Sequence, residues 1–381
     1  TGGKVDFSLN GESKTVRITR AHLEADAGKS SHPTGKPYSL VDLNRAGTPL
    51  LEIVSEPEMH SPAEARAYAK ELYLLMCYAG VTEGDLYHGN MRFDVNVSLS
   101  PNSSLGVRSE TKNLNSFRAV EKAVAYEITR QNELLERGEK VVQETRGWNE
   151  AKQKTISQRS KENADDYRYM PDPDLPPLEI EQSLIDKQKA EMPKLPDYWR
   201  GELSSLGLSP AQSEILIEAG IDFESAGYLD LLQDFSSSGL NTKALVNWLV
   251  NVDIPFMRTL EKLQSIDRTK LYRQVAELVS DGQLSSTNAK ELIVAGLKSP
   301  DIISTIKEHA EKVGLLQQSD SAELEAIVRA VIDAFPAAVK DVQSGQVKAI
   351  GFLVGQVMAK SSGRANPELS RQIIERVLNQ A

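Results

Sequence analysis

The sequence predicts an α+β fold, with a mixed or antiparallel β-sheet domain followed by a helical domain and a helical tail domain. Apolar and polar residues alternate in several segments of the first half, as they do in half-buried strands. From about Asp186 onward, short amphipathic segments are separated by Gly, Ser and Pro, which indicates helices. A chain of 381 residues is long enough for two or three domains. We place them at 1–185, 186–300 and 301–381.

Composition narrows the possible classes of protein. The only cysteine, Cys77, excludes an internal disulfide framework and a zinc site built from several cysteines. No apolar run reaches the length of a membrane span, so we expect no membrane interaction. The net charge of −10 argues against nonspecific binding to DNA, whereas a local basic patch could still contact RNA. The five histidines show no metal-binding spacing, which favours surface or turn positions for them.

The first sixty residues predict strands at "KVDFSL", "KTVRIT" and "PLLEIVSEP". Because the strand pattern is already under way at the first residues, we expect a further N-terminal part of this domain. A helix follows at "SPAEARAYAKELYLLMCYAG", with Ser61 as N-cap, Pro62 in its first turn and Glu64 completing a capping box. Gly80 suits the position after its C-cap.

Two further strands and a helix carry the polar residues of interest. In "NMRFDVNVSLS" the apolar residues fall on one face, and Arg92 and Asp94 fall on the other. "GVRSETK" continues this pattern, with Arg108, Glu110 and Lys112 on one face. A helix then starts near Ser116 and ends near Gly138. Its free N-terminal N–H groups form a possible anion site.

Residues 139–180 have weak periodicity and many charges, so composition alone indicates a linker. The segment also interleaves Trp148, Tyr167 and Tyr169 with arginines such as Arg146, which suits stacking and phosphate contacts in an ordered loop. Both interpretations are open at this point.

Carboxylates on the polar faces of the strands suggest a phosphate-binding chemistry. Glu52, Asp94 and Glu110 lie on strands, and Glu24 lies in a turn-like segment, "HLEADAGK". Carboxylates on one sheet surface repel each other unless something neutralises them, and Mg²⁺ takes oxygen ligands and bridges to phosphates. The neighbouring basic side chains could hold phosphate oxygens. The alternative is a surface sheet whose charges pair with each other in water.

Several long motifs, in order, resemble the B subunits of the aspartyl/glutamyl-tRNA amidotransferases. They are "LVDLNRAGTPLLEIVSEPEMHSPAEARAYAKELYLLMCYAGV", "TKNLNSFRAVEKA", "QETRGWNEAK", "DDYRYMPDPDLPPLEI" and "KAIGFLVGQVMAKSSGRANPELSRQIIERVL". The resemblance covers essentially the whole chain. It implies that residues 1–185 form part of a catalytic domain called the cradle, and that the helical and tail domains reach along the tRNA.

The resemblance also implies a reaction and partners. ATP, with Mg²⁺, activates the side-chain carboxylate of Glu-tRNA(Gln) or Asp-tRNA(Asn), and ammonia displaces phosphate to leave the amide. The ammonia is released from glutamine by a glutaminase/amidase partner, the A subunit, and a small C subunit completes the assembly. The compartment implied is the bacterial cytoplasm or an organellar stroma or matrix.

On this basis we assign three sets of residues. The expected catalytic residues are Arg92, Glu110 and Lys112. Those expected to bind ATP are Arg108, Asn113 and Asn115, although turn and cap roles are the alternative for the two asparagines. The expected metal ligands are Glu52, Asp94 and Glu24.

The family usually has a second acid where this chain has Ala25. This difference supports an alternative function, a tRNA-binding or assembly module of the same fold that has lost the activation step. An unrelated ATP-grasp-like ligase is disfavoured, because no ATP-grasp spacing is present.

Overall fold

The computed structural model describes most of the chain. The described residues are 2–102, 104–160, 173–174, 176–177, 179–223, 227–260, 265–317, 321–344, 347–361 and 365–380. They form two compact units, Thr1–Pro196 and Asp197–Ala381. The first contains the strands and the second is helical, so the predicted α+β class is confirmed. The positions of the two predicted domain boundaries, after residues 185 and 300, remain a prediction. No helix among the described residues is long and apolar enough to cross a membrane.

The first sheet has three strands in the order β1-β2-β5. These are β1 (Gly3–Leu9), β2 (Glu12–Ala25) and β5 (Pro49–Ser55), all paired antiparallel, and a hairpin of β3 (Lys29–Ser31) and β4 (Leu40–Asp42) lies between β2 and β5 in the chain. The three predicted strands are confirmed. The turn predicted at Glu24 is wrong, because β2 continues to Ala25 and pairs there with Pro49.

Helix α1 (Pro62–Tyr78) packs on this sheet through Tyr68 and Leu72, which bury Val5 and Phe7. The Ser61 hydroxyl accepts a hydrogen bond from the Glu64 N–H, as an N-cap should. The Glu64 carboxylate accepts from the His60 N–H rather than from that of Ser61, so the predicted capping box is displaced by one residue. Gly80 follows the C-cap at a φ of +69°, a conformation that favours glycine.

The second sheet has four strands in the order β6-β7-β8-β9. Its members are β6 (Phe93–Val97), β7 (Ser109–Leu114), β8 (Glu144–Asn149) and β9 (Lys154–Ser160). Strands β7 and β8 are parallel, so helix α2 (Phe117–Glu136) forms the crossover between them. The Ser116 hydroxyl caps α2 by accepting from the Ala119 N–H. The face of the sheet towards α1 and α2 is core, around Val97, Leu114, Val120 and Val124.

The linker interpretation of residues 139–180 is wrong for the segment that forms β8 and β9. Trp148 packs against the core between this sheet and α2, and Arg146 is 9% exposed. Neither side chain is therefore placed to stack on RNA. Tyr167 and Tyr169 lie outside the described residues.

The helices from α3 to α11 have the following bounds: α3 Gln182–Glu191, α4 Pro196–Ser205, α5 Pro210–Asp222, α6 Tyr228–Ser237, α7 Thr242–Trp248, α8 Ile254–Met257, α9 Arg268–Ser280, α10 Ser286–Lys298 and α11 Ile306–Lys312. A π-helical turn, Leu249–Asp253, joins α7 to α8, and a 3₁₀ helix, Pro300–Thr305, precedes α11. Fully buried side chains such as Leu216, Phe235 and Leu271 form the core of this region.

The tail helices have a core of their own. They are α12 (Ser321–Ala334), α13 (Pro336–Gln343), α14 (Val347–Lys360) and α15 (Pro367–Gln380). Buried residues from α12, α14 and α15 meet in one cluster that includes Val328, Leu353 and Ile374. Helix α11 contacts α9 and α10 of the preceding helices.

Candidate active site

Three charged side chains meet on the face of the second sheet that is turned away from α2. The Lys112 ammonium lies 2.6 Å from Asp94 Oδ2 on β6 and 3.3 Å from Glu110 Oε1 on its own strand. The Thr145 hydroxyl, on β8, donates to Glu110 Oε2 over 3.2 Å. Lys112 and Glu110 therefore come together as predicted, and Asp94 on the neighbouring strand pairs with Lys112.

A β-bulge explains how Lys112 reaches Asp94. Phe93 pairs with Leu114 and Val95 with Thr111, so two residues of β7, Lys112 and Asn113, oppose the single residue Asp94. Asn113 has a φ of +65°, a left-handed conformation that asparagine tolerates better than most residues. Asn113 thus lies at a bulge within β7 and not in a turn, and its predicted contact with ATP remains a prediction.

The electrostatics of this cluster favour a charged Lys112. Partial burial opposes the ammonium, but the hydrogen bond and charge of Asp94, followed by those of Glu110, outweigh it and raise the pKa of Lys112 above its usual value. Lys112 is therefore a fixed cation at neutral pH. A fixed ammonium suits the binding of phosphate or carboxylate oxygens.

A second group of charges lies on the first sheet. His22 Nδ1 is 3.4 Å from Glu52 Oε2, and His22 Nε2 is 3.7 Å from Glu24 Oε2. Arg20 also approaches Glu52 at 3.3 Å. Two of the predicted metal ligands thus flank one imidazole. The sequence pattern treats His22 as an ordinary surface or turn histidine, although its spacing of two residues from Glu24 on a strand could have indicated a shared face.

The other predicted residues are exposed and lie near the ends of these elements. Arg92 and Arg108 precede β6 and β7, and no ion pair of either is found among the described residues. Asn115 immediately precedes Ser116, so the N-cap of α2 is Ser116 and not Asn115. The predicted anion site at this helix N-terminus remains a prediction.

The predicted metal ligands come together in pairs of carboxylates, so other ligands would have to complete the shell of a bound Mg²⁺. In the described part of the chain, no group of three or more His, Cys, Asp or Glu side chains is arranged to hold a metal ion. Mg²⁺ in phosphate-transfer sites is usually bound by one or two carboxylates, with water and substrate phosphates completing the shell. Glu24 and Glu52 form one such pair, and Asp94 and Glu110, bridged by Lys112, form another.

Comparisons with known proteins identify the family. Residues 1–186 match the family model of the GatB/GatE catalytic domain, and residues 230–378 match that of the GatB domain. The B subunit of the aspartyl/glutamyl-tRNA(Asn/Gln) amidotransferase of Trichodesmium erythraeum is 42% identical, over 98% of this chain and 76% of that protein. The chain belongs to the family of amidotransferase B subunits.

Other members of this family agree. The corresponding B subunit of Carboxydothermus hydrogenoformans is 39% identical over 98% of this chain and 77% of that protein. The chloroplastic/mitochondrial B-1 subunit of the glutamyl-tRNA(Gln) amidotransferase of Micromonas commoda is 39% identical over 100% of this chain and 72% of that protein. The resemblance seen in the motifs is confirmed, and this member of the family is a component of a carbon–nitrogen ligase.

Proposed function

We propose that this chain uses ATP to activate the side-chain carboxylate of a misacylated tRNA, Glu-tRNA(Gln) or Asp-tRNA(Asn), and converts it to the amide. A carboxylate oxygen attacks the γ-phosphorus of ATP and ADP leaves. Ammonia then attacks the acyl carbon, and inorganic phosphate leaves. The observation that supports this proposal is the cluster of Asp94, Lys112 and Glu110 on the open face of a sheet in the catalytic domain.

Each residue of the cluster has a role in this scheme. The Lys112 ammonium contacts phosphate oxygens and offsets the charge that accumulates on them during transfer. Asp94 and Glu110 hold that ammonium in place and keep it protonated. Arg92 and Arg108 add positive charge at opposite ends of the β6–β7 ladder, and the N–H groups at the start of α2 follow the end of β7 that pairs with the first residue of β6.

Glu24 and Glu52 on the first sheet would hold Mg²⁺ as one pair, and Asp94 with Glu110 on the second sheet would hold it as another. When bound, Mg²⁺ supplies Lewis-acid neutralisation of the phosphate oxygens. His22 lies between Glu24 and Glu52, and all three side chains are about half exposed.

We infer the partners and compartment from the names of the relatives and the chemistry. A glutaminase/amidase A subunit supplies ammonia, and a small C subunit completes the complex. Ammonia must reach the acyl phosphate without loss to water, which favours a covered route between the proteins of the complex. The bacterial relatives and the chloroplastic/mitochondrial relative suggest bacterial cytoplasm, or stroma or matrix.

The experiment is an amidation assay of the complex with its A and C subunits, following conversion of Glu-tRNA(Gln) and release of ADP. Lys112→Ala should reduce amidation about 10²- to 10³-fold, the usual loss when one charge-stabilising donor is removed. Asp94→Asn should also abolish amidation, whereas glutamine hydrolysis by the partner glutaminase persists in part. The matched control is Lys4→Ala, which removes another lysine–aspartate pair, 2.8 Å long, on the first sheet. Equal activities of the Lys112 and Lys4 variants would refute the proposed site.

Ala25, which stands where the family usually has a second acid, favours the alternative function as a second candidate. If the unaltered complex binds Glu-tRNA(Gln) but releases no ADP at saturating Mg²⁺, the chain is a tRNA-binding module that lacks the activation step.

A further inference from the structure

A buried carboxylate lies directly behind the candidate active site. Glu127, on α2, is 0% exposed and faces the opposite side of the sheet from Lys112. Its Oε2 accepts a hydrogen bond from the Ser109 hydroxyl over 2.6 Å, and its Oε1 accepts from the Thr155 hydroxyl. Glu127 therefore connects α2 to the first residue of β7 and to β9.

Two arginines complete the environment of this carboxylate. Arg130 donates to both of its oxygens, with Nη2 at 2.7 Å from Oε2, and Arg146 Nε lies 3.1 Å from Oε1. Glu144 contacts both guanidinium groups. The two negative charges of Glu127 and Glu144 thus match the two positive charges of Arg130 and Arg146. Burial opposes the charged form of Glu127, but hydrogen bonds from Arg130, Ser109 and Thr155 outweigh it and lower its pKa.

Gln131, one residue further along α2 from Arg130, extends the network to β6. Its Nε2 donates to the Val97 carbonyl and to the Ser109 hydroxyl, both over 2.9 Å, and its Oε1 accepts from the Leu99 N–H. Val97 and Ser109 are directly paired, and they form one end of the β6–β7 ladder. The network therefore fixes this pair from behind.

The pairing of these strands decides where Lys112 points. Side chains alternate along β7, so the inward Ser109 is followed by the outward Glu110, and the buried Thr111 by Lys112. A slip of one residue would turn every one of these side chains to the other face. The bulge at Asn113 relaxes the register at one end of the ladder, whereas side chains of α2 hold the other end, at Val97 and Ser109.

We propose that Glu127 is a positioning residue for the amide-forming site: it fixes β7 on α2 so that Lys112 stays between Asp94 and Glu110. This inference rests on the proposed function of Lys112. Buried ion pairs add little stability compared with apolar packing, and their best-attested role is to specify register. A closed polar network behind a catalytic strand fits that role better than a role in stability alone.

The test uses Glu127→Gln in the complete complex, with Asp253→Asn as the matched control. Asp253 is also 0% exposed and accepts hydrogen bonds from an arginine, Arg268, and from two tyrosines, but it lies in the helical unit. We measure kcat and KM for Glu-tRNA(Gln), and separately the rate at which Lys112 is acetylated by acetic anhydride, read by mass spectrometry without tRNA or ATP.

Glu127→Gln should lower kcat about 10- to 100-fold, as a displacement near 1 Å can do, with the KM for tRNA unchanged within about twofold. Acetylation of Lys112 should become faster, because an amine that is no longer held between Asp94 and Glu110 is more accessible to the reagent. Asp253→Asn, assayed at a temperature where circular dichroism shows it to be folded, should change neither quantity, although its stability is lower. If Glu127→Gln does not fold, Ser109→Ala, which removes one hydroxyl and leaves all four charges, should show the same two changes to a smaller extent.

The inference is overturned if acetylation of Lys112 matches the unaltered protein in the folded variant, or if the loss of kcat equals that of Asp253→Asn. Failure of the proposed function is separable: there, Lys112→Ala would leave amidation intact, whereas the acetylation measurement would still report whether Glu127 positions Lys112.

Discussion

Replacing Asp253 by asparagine should destabilise the helical unit by about 3–5 kcal/mol, the usual cost of leaving one member of a buried ion pair without its partner. Asp253 is 0% exposed and Arg268 is 5% exposed. Oδ1 of Asp253 accepts from Tyr228 (3.0 Å) and from Arg268 Nη2 (3.2 Å), and Oδ2 accepts from Arg268 Nε (2.9 Å) and Tyr272 (2.9 Å).

An asparagine side chain keeps only one of these two acceptor oxygens. Its NH₂ group then faces an Arg268 donor, so one of the two guanidinium contacts becomes a donor–donor contact, and the buried charge of Arg268 has no counterion. A tyrosine hydroxyl can reorient to accept from the new amide, which limits the loss to the arginine. The expected cost therefore arises from the unpaired cation.

The assay is urea unfolding followed by the fluorescence of Trp248, whose ring stacks on Tyr272 at a centroid distance of 6.3 Å. The control is Asp234→Asn, which breaks a similar bidentate pair with Arg273 whose side chains are 37% and 40% exposed. Exposed pairs contribute about 0–1 kcal/mol, so this control should change little.

A second substitution tests the reason for the loss. Adding Arg268→Met to Asp253→Asn removes the unpaired charge and should recover part of the lost stability. Equal unfolding free energies for Asp253→Asn and Asp234→Asn, or no recovery in the double variant, would refute the reasoning.

Two further predictions concern acid stability and tRNA binding. The pKa of Glu127 is lower in the folded chain than its ordinary value of 4.5. The charged carboxylate therefore stabilises the fold above pH 4.5, and this stabilisation is lost as the pH falls through the folded-state pKa. The urea midpoint should fall less steeply between about pH 7 and pH 3 for Glu127→Gln than for the unaltered chain, and parallel curves would contradict this. Residues 301–381 should contact tRNA mainly through phosphates. The test is a variant that lacks the tail helices and ends before Ser321, because α11 packs on α9 and has to be kept. This truncation should raise the KM for tRNA and make tRNA binding less dependent on salt. Unchanged tRNA affinity across salt concentrations would assign the tail to assembly instead.

The elements that the sequence predicted correctly are those with clear end signals and one apolar face. Helix α1 has its cap at Ser61 and its terminating glycine at Gly80, and both lie where the pattern placed them. Strand β1 and the first half of β2 bury alternate residues, among them Val5, Phe7 and Val16, so the period of two was visible there.

The strands β8 and β9 were not predicted, because the inner face of β8 is polar. Glu144, Arg146 and Trp148 alternate on the side that faces α2, but the first two belong to a buried ion network and therefore resemble a solvated surface in the sequence. A hydrophobicity pattern cannot distinguish a paired buried charge from an exposed one.

The candidate site was predicted in its residues more accurately than in their pairing. The alternation of polar residues placed Asp94, Glu110 and Lys112 on one face, but the partner of Asp94 depends on the bulge. A bulge caused by one asparagine in the left-handed conformation leaves no periodic signal, and it shifts the opposing residue by one position. The pairing of His22 with Glu52 likewise depends on the register between β2 and β5, which are separated in sequence by a hairpin.

The four-stranded sheet thus separates two groups of charges that share one strand. On the inner side, Glu127 is surrounded by donors and is paired with two arginines. On the outer side, Lys112 is held by two carboxylates but remains 35% exposed, so a substrate oxygen can still approach it. A saturated network gives rigidity and an incompletely saturated cation gives binding capacity. Ser109 and Lys112 are three residues apart on β7. The buried network around Glu127 therefore fixes this strand close to Lys112, whose position between Asp94 and Glu110 depends on the strand.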